Sequence, residues 1–169
     1  MRSGLALIVL WIVPAAAFQS PVPRNEGVPS FQDYSVPPSQ IFKGTPASPQ
    51  FKTAGQRLFR TRIRQGAAEG ANFAGHYAIA QWGCGSNCVG LAVIDVQSGE
   101  VFDSPFGAPD TAYIGFVPPF EERGLFFHVD SRLFIANGCP NDKSCGVYFY
   151  EWTGSGFRLL RSILNGRGR

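Results

Sequence analysis

From residue 76 onward, the chain alternates short apolar runs with groups of Gly, Asn, Asp and Ser. This alternation is typical of antiparallel strands joined by tight turns, and it predicts seven strands with turns at QSG, DSR and TGSG. The predicted strands cover residues 76–82, 90–96, 100–103, 125–129, 133–137, 146–152 and 157–163. The proline-containing stretch between the third and fourth strands is predicted to be a connection, with at most one strand near 112–117.

One segment before the strands has helical periodicity. It predicts a helix over residues 51–65, ended by Gly66 or Gly70. Its apolar face would be formed by Phe51, Ala54, Leu58, Phe59 and Ile63, and its basic face by Arg57, Arg60 and Arg64. Arg62 falls near the apolar face, so it is expected either to extend to solvent or to meet a carboxylate. The basic face is typical of a solvated helix surface, with an anion or polyanionic-glycan site as the alternative.

The first 17 residues have the pattern of a secretory signal peptide. MRSGLALIVLWIVPAAA contains one arginine near its start, an apolar run, and small residues in the A-x-A arrangement of a cleavage site. The run is shorter than the roughly 20 residues needed to span a bilayer, and no later stretch is long and apolar enough. We therefore expect an exported protein, periplasmic or extracellular, with no transmembrane segment after cleavage.

Residues 18–50 contain seven of the 13 prolines, which predicts an extended lead-in without a long helix. Its first part is predicted to be disordered, and its second part to lie along the domain. The apolar residues available for that contact are Phe31, Tyr34, Val36, Ile41 and Phe42. Residues 51–169 have the size of a single domain. The net charge of +3 falls by one when Arg2 is removed, which is too small to indicate nucleic acid as the main partner.

An internal repeat predicts how the four cysteines pair. Residues 78–103 and 133–160 each consist of a strand, Gly-Cys, a short polar insert, Cys, a strand, a turn and a strand. An even number of cysteines in an exported chain favours disulfides. Two equivalent hairpin loops are the simplest explanation, so we pair Cys84 with Cys88 and Cys139 with Cys145. Crossed pairings stay possible if the two loops meet in space.

The fold class predicted from these patterns is mainly β with one N-terminal helix, an α+β chain. Its strands would form an antiparallel meander of two similar units, each resembling a propeller blade. Two units are too few to close a propeller. We therefore expect either a sandwich or one strongly twisted sheet, with the helix covering an open face.

The sequence gives little indication of a catalytic reaction, and it predicts no cofactor or metal. The cysteine spacings fit neither a four-cysteine zinc site nor a CxxC redox centre. If the protein is an enzyme, the candidate catalytic residues are His76, His128 and Asp130. The simplest interpretation of Asp130 is instead a turn residue whose side chain caps the DSR backbone and pairs with Arg132. Two carboxylates on one face would also permit glycan hydrolysis. The candidates for such a pair are Asp95, Asp103, Asp110, Glu121, Glu122, Asp130 and Glu151.

The phrases NFAGHY, WGCGSNC and DSRL together resemble a family of small exported bacterial proteins with no assigned activity. The resemblance covers the chain from the helix to the C-terminus. It implies a periplasmic or secreted setting, and it transfers no catalytic residue.

The leading functional hypothesis is a non-enzymatic binding or inhibitor module of the cell envelope, whose partner is an envelope protein or glycan. Its candidate binding residues lie on the cysteine loops and in the DSR turn: Trp82, Asn141, Lys143 and Arg132. The alternatives are a hydrolase acting on envelope glycan or peptide, and an assembly component that uses an exposed sheet edge. The sequence leaves the oligomeric state open.

Overall fold

The computed structural model describes residues 27–85, 88–106, 112–113, 124–140 and 144–164. Its regular structure is mainly β, as the apolar pattern predicted. The strands are β1 (Tyr77–Gly85), β2 (Cys88–Asp95), β3 (Val101–Asp103), β4 (Ala112–Tyr113), β5 (Gly124–Phe127), β6 (Leu133–Pro140), β7 (Gly146–Trp152) and β8 (Phe157–Leu164). The seven strands predicted first correspond to β1–β3 and β5–β8, with shifts of at most three residues at their ends.

The strands form two antiparallel groups. In the first sheet β2 pairs with β1 and β3, and in the second the order is β5-β6-β7-β8. The two-residue strand β4 pairs with the start of β2 and the end of β6, so it joins the two sheets. The predicted strand near 112–117 thus begins as expected, and residues 114–117 lie outside the described part of the chain.

A shared aromatic core contains side chains from both sheets. Phe73, which is fully buried, precedes β1 and contacts the rings of Phe134, Trp152 and Phe157, with centroids 6.2–6.3 Å apart. Alternate residues of β1, β2, β6 and β7 point into this cluster. Because the strands are also buried on their other faces, each sheet needs a second covering layer.

Two short helices cover the outer face of the first sheet. They are α1 (Ala54–Leu58), capped by Thr53, and α2 (Arg60–Ala68). Ile63 and Ala67 of α2 pack on Ala78, Ala80 and other residues of the first sheet. Gly66 allows close approach, since a Cβ there would stand 2.5 Å from the Cβ of Ala80.

The single helix predicted over residues 51–65 is not confirmed. The chain departs from helical geometry at Phe59, whose φ is −98° and ψ is 16°, so a single wheel does not describe both pieces. Leu58, which was placed on the apolar face, is 70% exposed. Gln56 is buried instead: its carbonyl accepts the Lys52 amide and its NH₂ group donates to Val101 O of β3.

The lead-in covers the outer face of the second sheet. Val28, Phe31 and Tyr34 pack on a cluster of β6 and β7 side chains, and Val36 is buried. Farther along, Phe42 joins the cluster under the helices. The part of the lead-in predicted to be disordered, together with the predicted signal peptide, falls in residues 1–26, outside the described residues.

Candidate functional site

The segment NFAGHY, residues 72–77, forms a turn that closes one edge of the first sheet. The backbones of Phe73 and Tyr77 exchange two hydrogen bonds of 2.9 and 3.0 Å. The side-chain amide of Asn72 accepts the Ile79 N–H at 2.8 Å and donates to the Ile79 carbonyl at 3.3 Å. Asn72 therefore satisfies β1 backbone groups that a further strand would otherwise bind.

The same segment reaches the DSR turn of the second sheet. Gly75 N donates to Val129 O at 2.7 Å, and Ala74 N donates to Ser131 O at 3.2 Å. Ala74 and Gly75 have φ values of 44° and 88°, in the left-handed region that turns the chain back. NFAGHY and DSRL, which lie more than 50 residues apart in the sequence, are thus parts of one junction.

Ser131 fastens the lead-in to this junction. It is 1% exposed, and its hydroxyl donates to Phe31 O at 2.8 Å and accepts the Leu133 N–H at 3.2 Å. On either side of it, Asp130 O accepts the Val36 N–H, and the Arg132 N–H donates to Tyr34 O. The DSR turn therefore holds both the lead-in and the start of β6.

A groove of about 320 Å³ lies where the lead-in crosses the second sheet. Its apolar wall is formed by Val28, Pro29, Phe31, Ile135 and Phe149, and its polar rim by Ser30, Gln32, Ser35, His128 and Asp130. The volume is near the lower end of the roughly 300–1,000 Å³ of small-molecule sites, so the groove fits a side chain or a small ligand.

His128 and Asp130 are the predicted site residues that meet in this groove. The imidazole of His128 stacks on the Phe31 ring, with centroids 3.9 Å apart and an interplanar angle of 18°. The Asp130 side chain is exposed, and its carboxylate forms no hydrogen bond or ion pair with any residue that the structure describes. The predicted side-chain cap of the DSR turn is therefore not observed, and the backbone carbonyl of Asp130 accepts the Val36 N–H of the lead-in.

His76 and Arg132 do not line this groove. The ring of His76 lies against Tyr77, with centroids 4.2 Å apart. Arg132 pairs with Glu151 at 3.5 Å, and Glu151 also binds Arg158 of β8. The predicted Arg132–Asp130 pair is therefore wrong: strand pairing brings Glu151 of β7 opposite Leu133, beside Arg132.

Trp82, a predicted binding residue, packs within the outer cluster of the first sheet. Its ring stacks on Phe59 with centroids 4.6 Å apart. Its indole also lies over Gly90, its partner across the hairpin, where a Cβ would be 2.4 Å from Nε1. The glycine in CVGLAV thus makes room for the tryptophan. The other two loop candidates, Asn141 and Lys143, lie outside the described residues.

Both cysteine pairs close hairpin loops, as the repeat predicted. Cys84–Cys88 joins β1 to β2, and Cys139–Cys145 joins β6 to β7. All four cysteines are oxidised, so none is a nucleophile or metal ligand in this state. Two disulfides in a small β fold are consistent with an oxidising location. Within the described ranges, no group of three or more His, Cys, Asp or Glu side chains has the arrangement of a metal site.

The described carboxylates considered for glycan hydrolysis mostly have structural partners. Asp95 accepts the backbone N–H groups of Gln97 and Ser98 in the turn before β3. Asp103 accepts the Gln56 amide, and Glu151 binds two arginines. Asp110, Glu121 and Glu122 lie outside the described residues. Asp130 remains the candidate whose carboxylate forms no hydrogen bond or ion pair with a described residue.

Buried tyrosines lie in the shared core, away from the groove. Burial raises the pKa of Tyr150 to about 12, and the nearby Tyr148 adds to the effect. Burial also raises the pKa of Tyr77, and the nearby carboxylates of Asp95 and Glu100 add to the effect. Tyr77 further donates to Gly154 O at 3.3 Å. These hydroxyls stabilise the core and are not groups poised for proton transfer near neutral pH.

β8 is an edge strand with exposed Leu159 and Leu164. It pairs with β7, and no strand in the described part of the chain pairs with its other side. A register shift leaves Leu160 as a bulge, and Arg158 and Arg161 are exposed nearby. Bulges and charges on an edge disfavour the addition of another strand.

The sequence did not predict that the lead-in forms one wall of the groove. Phe31 was expected to lie on the domain, but nothing in the sequence pairs residues 28–32 with a turn about 100 residues later.

No helix among the described residues is long and apolar enough to cross a membrane. Comparison of the chain with family models, curated proteins and solved structures found no match.

Proposed function

We propose that the protein is an exported, non-enzymatic binding module of the cell envelope, and that its groove receives a basic side chain of a partner protein. The observation that carries this proposal is the exposed Asp130 carboxylate, without a partner among the described residues, at the rim of an apolar groove. An ammonium or guanidinium group would pair with the carboxylate, and an apolar neighbour would cover Phe31 and Ile135.

The construction of the groove supports a binding role. The Ser131 hydroxyl and the Val36 and Arg132 amides hold the lead-in against the turn, so both walls are in place before a ligand arrives. Preorganised walls reduce the entropy lost on binding. The two disulfides are consistent with the proposed export.

The proposal is tested by NMR titration with two blocked dipeptides, N-acetyl-Phe-Lys-amide and N-acetyl-Phe-Gln-amide. We expect the lysine peptide to shift the amides of residues 28–35 and 128–131, and the glutamine peptide to bind more weakly. Asp130→Asn should weaken lysine-peptide binding by roughly tenfold, since a charge-assisted contact contributes about that much.

Glu69→Gln is the matched control because it removes one exposed negative charge at the end of α2, away from the groove. Equal binding of the two dipeptides, or equal losses in the two variants, would contradict the proposal. A complementary pulldown from envelope extract should recover a partner with the wild-type protein and less of it with Asp130→Asn.

A hydrolase acting on envelope glycan or peptide is the second candidate, because His128 and Asp130 line the same groove. In that case His128 would transfer the proton. Release of soluble fragments from cell-wall material, lost in folded His128→Ala and Asp130→Ala variants, would favour this candidate over the binding module.

A further inference from the structure

Four exposed arginines lie on one stretch of α1 and α2. We call Arg57, Arg60, Arg62 and Arg64 the arginine surface. Neutral groups hold their guanidinium groups: Arg57 donates to Lys52 O, Arg60 to Arg57 O, and Arg62 to the Gln65 side chain. Arg64 lies over the Phe51 ring, 5.2 Å from its centroid. These contacts therefore hold the arginine side chains in place without neutralising their positive charges.

Three other exposed cations among the described residues form ion pairs. Lys52 pairs with Glu100, and Arg132 and Arg158 both pair with Glu151. By contrast, no carboxylate of the described residues forms an ion pair with any member of the arginine surface. Each guanidinium has five N–H donors, so donors remain for a ligand beyond the one or two already used.

We propose that the arginine surface binds an extended acidic polysaccharide. The planar fork of arginine matches carboxylate and sulfate groups, and four like charges within eight residues repel one another unless an anion lies among them. Arg60 and Arg64 are four residues apart in α2, so their origins advance about 6 Å along the helix axis. Guanidinium groups spaced along a helix in this way suit a linear polymer with repeated charges, whereas a single small anion would contact only part of the arginine surface.

The packing of the helices disfavours a lipid bilayer as the binding partner of the arginine surface. Ile63 and Ala67, which are the buried apolar residues of α2, face the first sheet, and Leu58 is the large apolar side chain left exposed beside the arginines. Membrane-surface helices need a broad apolar face to insert between lipids.

Nucleic acid is also disfavoured. Single-stranded nucleic acid is bound largely by bases stacking on exposed aromatic rings. Here Phe59 is stacked on Trp82, and Phe51 is covered by Arg64. The small net charge of +3 also gives little attraction to a phosphate backbone beyond this one surface.

The test measures binding of two probes, a heparin oligosaccharide and an oligogalacturonate, to the full chain at low and high salt. Arg60→Gln/Arg64→Gln should weaken binding of both probes by about tenfold, and added salt should weaken binding to the wild-type protein. Arg158→Gln/Arg161→Gln is the matched control: it removes the same charge from β8 and should change the affinity by less than about twofold.

Three results would overturn the proposal. Equal losses in the two double variants would mean that the overall basic charge of the chain binds the probes. Tighter binding to phosphatidylglycerol vesicles or to single-stranded DNA than to both oligosaccharides would assign the surface to another partner. Unchanged affinity of Arg60→Gln/Arg64→Gln, with an unchanged circular dichroism spectrum, would remove the arginine surface as the site.

Discussion

At the scale of single residues, a few polar side chains satisfy the backbone where the strand ladders stop. The Asn72 amide binds the edge of β1, Gln56 links α1 to β3, and Ser131 connects the lead-in to β6. Buried backbone groups need such partners because leaving one unsatisfied costs free energy. Asn72 and Ser131 therefore give NFAGHY and DSRL a structural role in the junction between the sheets.

Ser131→Ala should destabilise the protein by about 1–3 kcal/mol, because it leaves the Leu133 N–H and Phe31 O without their buried partner. The free energy of unfolding, measured by urea denaturation, checks this. Ser39→Ala is the control, since Ser39 is exposed and the change should stay within about 0.5 kcal/mol. Similar losses in the two variants would refute the role given to Ser131.

At the scale of elements, the hairpins were easier to predict than the helices. The β1–β2 and β6–β7 hairpins have local strand alternation, glycines and cysteines that all indicate the same structure. The helical segment depends on a capped first turn, a break at Phe59 and contacts with β3, which no single periodicity describes. Tertiary contacts therefore decided which of its faces is buried.

Removing either disulfide should lower the free energy of unfolding by roughly 2 kcal/mol while the fold is retained, because the closed loops are short. Cys84→Ala/Cys88→Ala and Cys139→Ala/Cys145→Ala can be compared by guanidinium denaturation followed by far-UV circular dichroism. Loss of the folded spectrum in either variant would show that the crosslinks do more than hold the hairpin loops.

Gly66→Ala should destabilise the protein, although alanine is favoured over glycine in a helix by about 1 kcal/mol. The new methyl group would stand 2.8 Å from the Ala80 Cα, and overpacking against a backbone costs roughly 1–3 kcal/mol. Thermal unfolding measures the effect. Thr61→Ala on the exposed side of α2 is the control and should be neutral or slightly stabilising; a raised melting temperature for Gly66→Ala would contradict the packing.

At the scale of the whole molecule, two sheets share one aromatic core, and their outer faces are covered differently. α2 covers the first sheet, and the lead-in covers the second. The groove exists only because the lead-in crosses the second sheet beside the β5–β6 turn. The arginine surface likewise exists because α2 turns its apolar residues towards β1.

The shared core predicts loss of stability at alkaline pH. The pKa of Tyr150 is about 12 in the folded protein, against 10.0 for an ordinary tyrosine. Between these values the unfolded chain loses the proton and the folded chain keeps it, so the stabilising contribution is complete below pH 10 and decreases as pH rises towards 12. The free energy of unfolding should fall by roughly 2 kcal/mol over this range.

Urea denaturation at pH 8, 10, 11 and 12 measures this decrease. Tyr150→Phe should show a shallower decline than the wild-type protein, because it lacks the titrating group. A residual decline is expected from Tyr77 and Tyr148, whose pKa values are also raised by burial. An identical slope in the variant would show that Tyr150 does not control the alkaline limit.

The sequence by itself predicted the strands and their turns and favoured the observed cysteine pairing, because alternation, turn residues and short loop closure are local properties of the chain. The tertiary structure alone decided that Glu151 binds Arg132. It also decided that Trp82 stacks on Phe59 and that His128 stacks on Phe31. These contacts join residues brought together by sheet pairing and by the covering lead-in. Their geometry depends on the relative placement of distant elements, which neither periodicity nor spacing encodes.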